Sequence, residues 1–145
     1  MKDANELGRC LVTGGTGFIG KRLLKELESL GLEFVLLLRH KNKSCSAKQF
    51  LCDLKNQEIP EEAFAGIETV FHLAAYTHDT RETGKSDHLY QKLNVDATVQ
   101  LISLAAEQQV KRFVFVSSVK AGSAITQGKC MNEGDQGEPE GIYNK

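Results

Sequence analysis

The sequence has no excess of charge, no long apolar run, no close cysteine pair and no internal repeat, and each absence removes a class of function. Eighteen basic side chains against nineteen acidic ones leave a net charge of −1, so the cationic footprint that holds nucleic acid is missing. The longest apolar runs, such as Phe34 to Leu38, fall far short of the ~20 residues that a membrane-spanning helix needs. The polar start Met1 to Arg9 lacks the apolar stretch of a secretory leader. Neither a nucleic acid nor a membrane is expected as a partner, and the chain is expected in the cytoplasm. Cys10, Cys45, Cys52 and Cys130 include no C-x-x-C pair, and His40, His78 and His88 lack the spacing of zinc ligands. No metal is expected, and the cysteines read as reduced thiols.

What is present has the make-up of one globular domain with a single core, with 145 residues, 41% of them hydrophobic and 26% charged. Apolar runs of strand length alternate with segments of helical period, the signature of repeated βαβ units and a mostly parallel sheet. Arg9 to Thr13 reads as strand one. From Phe18 the apolar residues Ile19, Leu23, Leu24, Leu27 and Leu30 recur at helical spacing, and Gly31 supplies the stop. Phe34 to Arg39, Gln49 to Cys52, Thr69 to Ala75 and Arg112 to Ser118 read as strands two to five. Runs so uniformly apolar predict strands buried on both faces. Ser86 to Gln109 carries the longest helical pattern, with Lys92, Asp96, Gln100, Ser103 and Glu107 gathered on a narrow polar arc. Ala121 to Gly141 reads as a glycine-rich polar loop.

The stretch Val12-Thr13-Gly14-Gly15-Thr16-Gly17-Phe18-Ile19-Gly20 joins the first strand to the first helix and contains two overlapping glycine patterns. One is Gly15-x-Gly17-x-x-Gly20 and the other Gly14-x-x-Gly17-x-x-Gly20. Glycines placed there let the backbone turn tightly and approach a pyrophosphate, whose charge meets the amide N–H groups of the helix N-terminus. A ligand-free tight turn is the alternative; the strand–glycines–helix context favours a dinucleotide. At the end of strand two, where an acid would bind the ribose 2′-hydroxyl of NAD, the chain has Arg39-His40-Lys41-Asn42-Lys43. Arg39 suits a 2′-phosphate, so the cofactor is read as NAD(P) with a lean to NADP. A solvated basic loop remains the other reading of these residues.

These motifs together resemble the extended short-chain dehydrogenase/reductase family of nucleotide-sugar epimerases, dehydratases and 4-keto reductases. Thr13 to Gly20 is similar to that family's T-G-x-x-G-x-x-G loop, which makes Gly14, Gly17 and Gly20 the matching glycines. The resemblance implies a Rossmann-type, doubly wound α/β fold, with about five strands in the order 3-2-1-4-5. It also implies cofactor contacts from Gly14, Thr16, Gly17, Phe18 and Ile19. Cys52-Asp53-Leu54 matches the position of an aspartate beside the adenine, and His72-Leu73-Ala74-Ala75 matches a strand end over the cofactor. The contacts implied there are Asp53, Leu54, His72, Ala74 and Ala75. Asn94 stands where the family's long helix carries an asparagine. Taken alone, Asp53 reads equally as an Asx turn, His72 as a satisfied strand-end histidine and Asn94 as an amide bonded to backbone or water.

The resemblance implies catalysis by Ser118, in Val116-Ser117-Ser118, and by Tyr143, in Gly141-Ile142-Tyr143-Asn144-Lys145. Tyr143 follows Ser118 at the family's interval and would act as general acid/base. The family's lysine stands four residues after its tyrosine, whereas Lys145 is two residues on. The chain is therefore expected to be the N-terminal cofactor-binding part of a longer enzyme, without the substrate-binding region and inactive alone. The substrate implied is a nucleotide sugar, and the Arg112 to Ala121 stretch is most similar to epimerase-like enzymes of UDP-N-acetylamino sugars. The alternatives are a carbonyl reductase of the same family, for a dihydroflavonol- or steroid-type substrate, and a non-catalytic dinucleotide sensor. Leu89, Leu93, Leu101 and Leu104 form one apolar arc of the 86–109 helix, and Val95, Val99, Ile102 and Ala106 form another. One sheet cannot cover both, so a homodimer through this helix is expected.

Overall fold

The computed structural model describes residues 4–56, 58–76 and 87–118. Five strands, β1 (Cys10–Thr13), β2 (Phe34–Leu38), β3 (Lys48–Leu51), β4 (Thr69–His72) and β5 (Arg112–Phe115), form one parallel sheet in the order β3-β2-β1-β4-β5. Helix α1 (Phe18–Ser29) crosses from β1 to β2. Between β4 and β5 run a short helix α2 (Asp87–Tyr90), a π-helical segment (Gln91–Asp96) and helix α3 (Ala97–Glu107). This is the parallel sheet that the alternating pattern predicts, in the doubly wound, Rossmann-type order that the family resemblance implies. Tyr143, Lys145, the Ala121 to Gly141 loop, Cys130, His78 and Ser86 lie outside the described residues.

Alternation along the strands divides the core between the two sheet faces. Leu11, Val35, Leu37 and Val70 point toward Phe64, Ile67, Leu101 and Leu104 on one side. Cys10, Val12, Leu36 and Leu38 point toward Leu24 and Leu27 of α1 on the other. The expectation that all strands are buried on both faces holds for β1, whose four residues are all buried, but not for β3 and β5. Those two are the outer strands among the described residues, and Leu51 and Phe115 are exposed there.

Several strands stop short of the apolar run that marks them. Pairing continues by one backbone bond past the ends, from Cys52 N–H to Leu38 C=O (2.9 Å), Leu73 N–H to Thr13 C=O (3.3 Å) and Val116 N–H to His72 C=O (3.1 Å). Leu73, Ala74 and Ala75 then leave the ladder. An apolar run does not by itself report strand pairing, and these residues wall a cleft at the carboxyl ends of the strands.

Helix α1 buries Gly20, Leu24 and Leu27, while Ile19 and Leu30, expected on its apolar face, are exposed near its two ends. Its stop is a Schellman motif: Gly31 N–H donates to Glu28 C=O and Leu32 N–H to Leu27 C=O, both at 3.0 Å, with Gly31 at φ +67. Helix α3 ends in the same pattern, with Gln109 N–H to Ala106 C=O (3.1 Å) and Val110 N–H to Ala105 C=O (2.8 Å). There the left-handed residue is Gln109, at φ +57. The single long helix expected from position 86 onward is interrupted by the π-helical segment, where Ala97 N–H reaches back five residues to Lys92 C=O. Leu101 and Leu104 are buried, whereas Val95, Val99, Ile102 and Ala106 are exposed.

Candidate functional site

The β1–α1 loop decides between the two glycine patterns. Gly14 has φ +68, and a Cβ there would lie 2.6 Å from Ala74 N and 2.7 Å from Leu73 C, both backbone atoms. A Cβ on Gly20 would overlap the Gly14 carbonyl oxygen and the Gly15 backbone. Gly15 is under no such constraint: its φ is not positive, and a Cβ would meet only the side chains of Leu24 and Leu36 at 3.2 and 3.3 Å. The geometry therefore requires Gly14 and Gly20, the ends of the second pattern. Gly17 N–H closes the turn onto Gly14 C=O at 3.0 Å.

Gly17 is also the N-cap of α1, and no side chain caps the helix. Its first amide N–H groups thus lack a side-chain acceptor, and no acidic residue stands in the first turn to repel an anion. Beside this helix end opens a cleft of about 290 Å³ along the carboxyl ends of the strands. The glycine loop contributes Gly14, Thr16 and Gly17, β2 contributes Leu37, Leu38 and Arg39, and the segment after β3 contributes Cys52, Asp53, Leu54 and Lys55. Leu73, Ala74 and Ala75 close the β4 side, and Leu93 projects from the π-helical segment. The cleft sits at the carboxyl end of β1, between β2 and β4, where the strand order reverses, the position at which open α/β sheets bind ligands. Its small residues, free helix end and exposed Arg39 suit an extended, anionic, partly apolar ligand, which is the character of a dinucleotide.

Of the expected contact residues, the cleft brings together Gly14, Thr16, Gly17, Arg39, Asp53, Leu54, Ala74 and Ala75. Asp53 also makes the Asx turn, its Oδ1 accepting from Lys55 N–H at 3.2 Å. Phe18 and Ile19 are exposed at the start of α1 outside the lining, and the Arg22 guanidinium stacks over the Phe18 ring at 3.8 Å. Ser118 is half-buried beyond the end of β5 and is not among the lining residues. Leu37, Leu38, Cys52, Lys55, Leu73 and Leu93 line the cleft without having been expected as contacts. Their common signal is position at or just after a strand end, except for Leu93, which has none.

His72 and Asn94, also expected as contacts, do not line the cleft. Strand alternation turns the His72 ring away from the cleft into the layer between β4 and α3, where it is fully buried. Its Nδ1 lies 2.7 Å from Thr13 Oγ1 and its Nε2 2.9 Å from Thr98 Oγ1. Phe115 stacks on the ring at 5.6 Å between centroids. Burial pushes the imidazole down from the usual 6.5 to about 4, so it is neutral at physiological pH. Asn94 uses its side chain on backbone: Tyr76 N–H donates to Oδ1 at 2.7 Å, and Nδ2 donates to Tyr76 C=O at 3.0 Å. Burial also raises the Cys10 thiol to about 11, opposed in part by the nearby Arg112 charge, and raises Cys52. Among the described residues no group of three His, Cys, Asp or Glu side chains converges as a metal site, and no helix is long and apolar enough to cross a membrane.

A parallel sheet in this order, with a glycine loop and an open cleft at its switch point, defines the Rossmann fold class. Within that class the chain belongs to the NAD dependent epimerase/dehydratase family, whose family model matches residues 10–143. It is 32% identical over 139 residues to the UDP-glucose 4-epimerase of Vibrio cholerae, a match covering 92% of this chain and 42% of that protein. It is 29% identical over 136 residues to a 4-hydroxy-2-methyl-3-oxo-4-farnesyl-3,4-dihydroquinoline-1-oxide ketoreductase of Stigmatella aurantiaca, covering 90% of this chain and 39% of that one. The solved structure of MoeE5 in complex with UDP-glucose and NAD superposes with a TM-score of 0.79 at 32% identity, covering 94% of this chain and 44% of MoeE5. The chain thus spans roughly two fifths of the length of these relatives.

Proposed function

We propose that this chain is the dinucleotide-binding part of an oxidoreductase or epimerase that acts on a nucleotide sugar, most simply a UDP-sugar. The observation that carries this reading is the convergence of Gly14, Gly17, the uncapped α1 N-terminus, Arg39 and Asp53 on one cleft. The α1 amides would hold the pyrophosphate, and Asp53 and Leu54 would flank the adenine side. Arg39 would meet a 2′-phosphate, which supports a preference for NADP over NAD. The bound nicotinamide supplies the hydride chemistry, and the protein supplies orientation and proton transfer. Ser118 would orient a substrate oxygen and Tyr143 would exchange its proton. A phenol at its ordinary pKa of ~10 is a poor base at neutral pH, so a nearby cation is required. The substrate-binding region belongs to sequence beyond this N-terminal domain, as the partial cover of the relatives supports.

The nucleotide-sugar assignment draws on the MoeE5 and Vibrio cholerae likenesses, while the Stigmatella aurantiaca likeness supports reduction of another carbonyl as the second reading. Titration calorimetry of the intact protein with NADPH and NADH tests the cofactor site. NADPH should bind more tightly, and Arg39→Ala should narrow the gap by roughly 1–3 kcal/mol. Equal affinities unchanged by the substitution would remove Arg39 from the site, and no binding of either would remove the function itself.

A further inference from the structure

The direction of every hydrogen bond around His72 follows from its partners. Thr98 has one hydroxyl proton, which it donates to Asn94 C=O at 2.8 Å, because a carbonyl can only accept. Toward His72 Nε2, at 2.9 Å, Thr98 Oγ1 is therefore the acceptor, and Nε2 carries the ring proton. A neutral ring then leaves Nδ1 as an acceptor, and the Thr13 hydroxyl donates to it at 2.7 Å. The same result comes from the other end. Thr13 Oγ1 already accepts from the backbone N–H of Ala74 (3.2 Å) and shares that of Leu73 (3.3 Å) with the Thr13 carbonyl, which leaves its proton for His72. The chain of bonds thus runs without conflict from the Ala74 amide to the Asn94 carbonyl.

Both ends of this chain grip one short segment. Thr13 holds the amides of Leu73 and Ala74, and Asn94 holds the amide and carbonyl of Tyr76. Leu73, Ala74 and Ala75, which leave the β-ladder here, are the cleft wall. Gly14 lies against the same backbone, where there is no room even for a Cβ.

We infer that His72 is a positioning residue for the dinucleotide cleft: with its proton on Nε2, it ties Thr13 of β1 to Thr98 of α3 and so holds the Leu73–Tyr76 backbone in the shape of the cleft wall. It acts through Thr13 and Asn94 without touching the ligand. This inference rests on the dinucleotide reading for its functional consequence, but the bonding pattern itself is independent of any ligand.

Two measurements on the intact protein test it. Long-range ¹⁵N–¹H correlation spectra at pH 7 should show His72 protonated at Nε2 and bare at Nδ1. Hydrogen exchange at the Ala74 and Tyr76 amides should quicken by roughly tenfold or more in His72→Phe, which keeps a ring but loses both bonds, and at Ala74 in Thr13→Val. NADPH should bind these variants roughly tenfold more weakly, and Thr13→Ser, which keeps the hydroxyl, should restore both exchange and affinity. Should His72→Phe fail to fold, the Thr13 pair carries the comparison. A proton on Nδ1, a charged ring at pH 7, or unchanged exchange and affinity in Thr13→Val would overturn the inference. A wild type that binds neither NADPH nor NADH while showing the predicted tautomer and exchange would instead refute the dinucleotide reading and leave the positioning of Leu73–Tyr76 standing.

Discussion

Thr13 and His72 are register partners in adjacent parallel strands, and their side chains, 59 residues apart in sequence, meet in a buried 2.7 Å hydrogen bond. This bond joins the strand that feeds the glycine loop to the strand whose continuation walls the cleft. A neutral imidazole is a condition of the arrangement.

Acid should weaken the fold through His72. Burial holds its folded-state pKa near 4, below the usual 6.5. Between these values the unfolded chain binds a proton that the folded chain does not, so stability falls as pH drops through this window and is unaffected by His72 above it. The loss approaches about 3 kcal/mol at the lower end. Urea midpoints at pH 7 and pH 4.5 should differ more for wild type than for His72→Gln, which has no group titrating there. Equal differences would show that the ring is not held neutral.

The glycine loop should discriminate sharply among its own glycines. Gly14→Ala combines a positive φ with backbone contact, and Gly20→Ala presses on the Gly14 carbonyl. Each should cost about 3 kcal/mol. Gly15→Ala meets only leucine methyl groups that can shift, and should cost about 1 kcal/mol or less. Thermal denaturation of the three variants measures the order, and a Gly15 variant as damaged as the others would return the decision to the alternative pattern.

Gln109 offers a stabilising change. It occupies the left-handed position that ends α3, where a side chain is strained, and it is exposed. Gln109→Gly should raise stability by about 0.5–1 kcal/mol in chemical denaturation without altering ligand binding.

Val99 and Ile102, 58% and 48% exposed, mark the uncovered arc of α3. If a second copy covers it, Val99→Glu with Ile102→Lys should convert a dimer to monomers in light scattering. A wild type that stays monomeric at high concentration would leave this arc to another partner.

Catalysis should depend on Tyr143 and less on Ser118. If Tyr143 is the acid/base proposed above, Tyr143→Phe in the intact protein should lower kcat roughly 100- to 10,000-fold with cofactor affinity nearly unchanged. Ser118→Ala should do less. Full activity in Tyr143→Phe would assign the acid/base role elsewhere.

Much of this was legible in the sequence because it is local. The glycines between Thr13 and Lys21 act within one turn, so their spacing alone marks the strand–loop–helix unit. Gly31 ends α1 by its own backbone freedom, and the alternation of apolar runs with helical periods specifies the parallel sheet. Arg39 and Asp53 reach the cleft because a parallel sheet puts the carboxyl ends of its strands on one edge, so residues just past those ends meet there. The exposed arc of α3 was likewise visible in its periodicity.

The tertiary structure decided what depends on contact across the chain. Whether His72 faces the cleft or the core depends on the side of β4 that α3 covers, and whether Asn94 reaches solvent or Tyr76 depends on the π-helical segment, which no periodicity at 100° per residue reveals. Gly14 and Gly15 are alike in sequence, and the positive φ of Gly14 together with the approach of Leu73 and Ala74 distinguishes them. Thr13 and Thr98 look like minor hydroxyls on apolar elements until the fold places His72 between them. Sequence determined the elements and the edge of the sheet where the site forms, because those follow from backbone freedom and hydrophobic period. Which side chains line the cleft and which lie behind it was decided by packing, because a hydrogen bond between residues 59 apart exists only once the strands carrying them are paired.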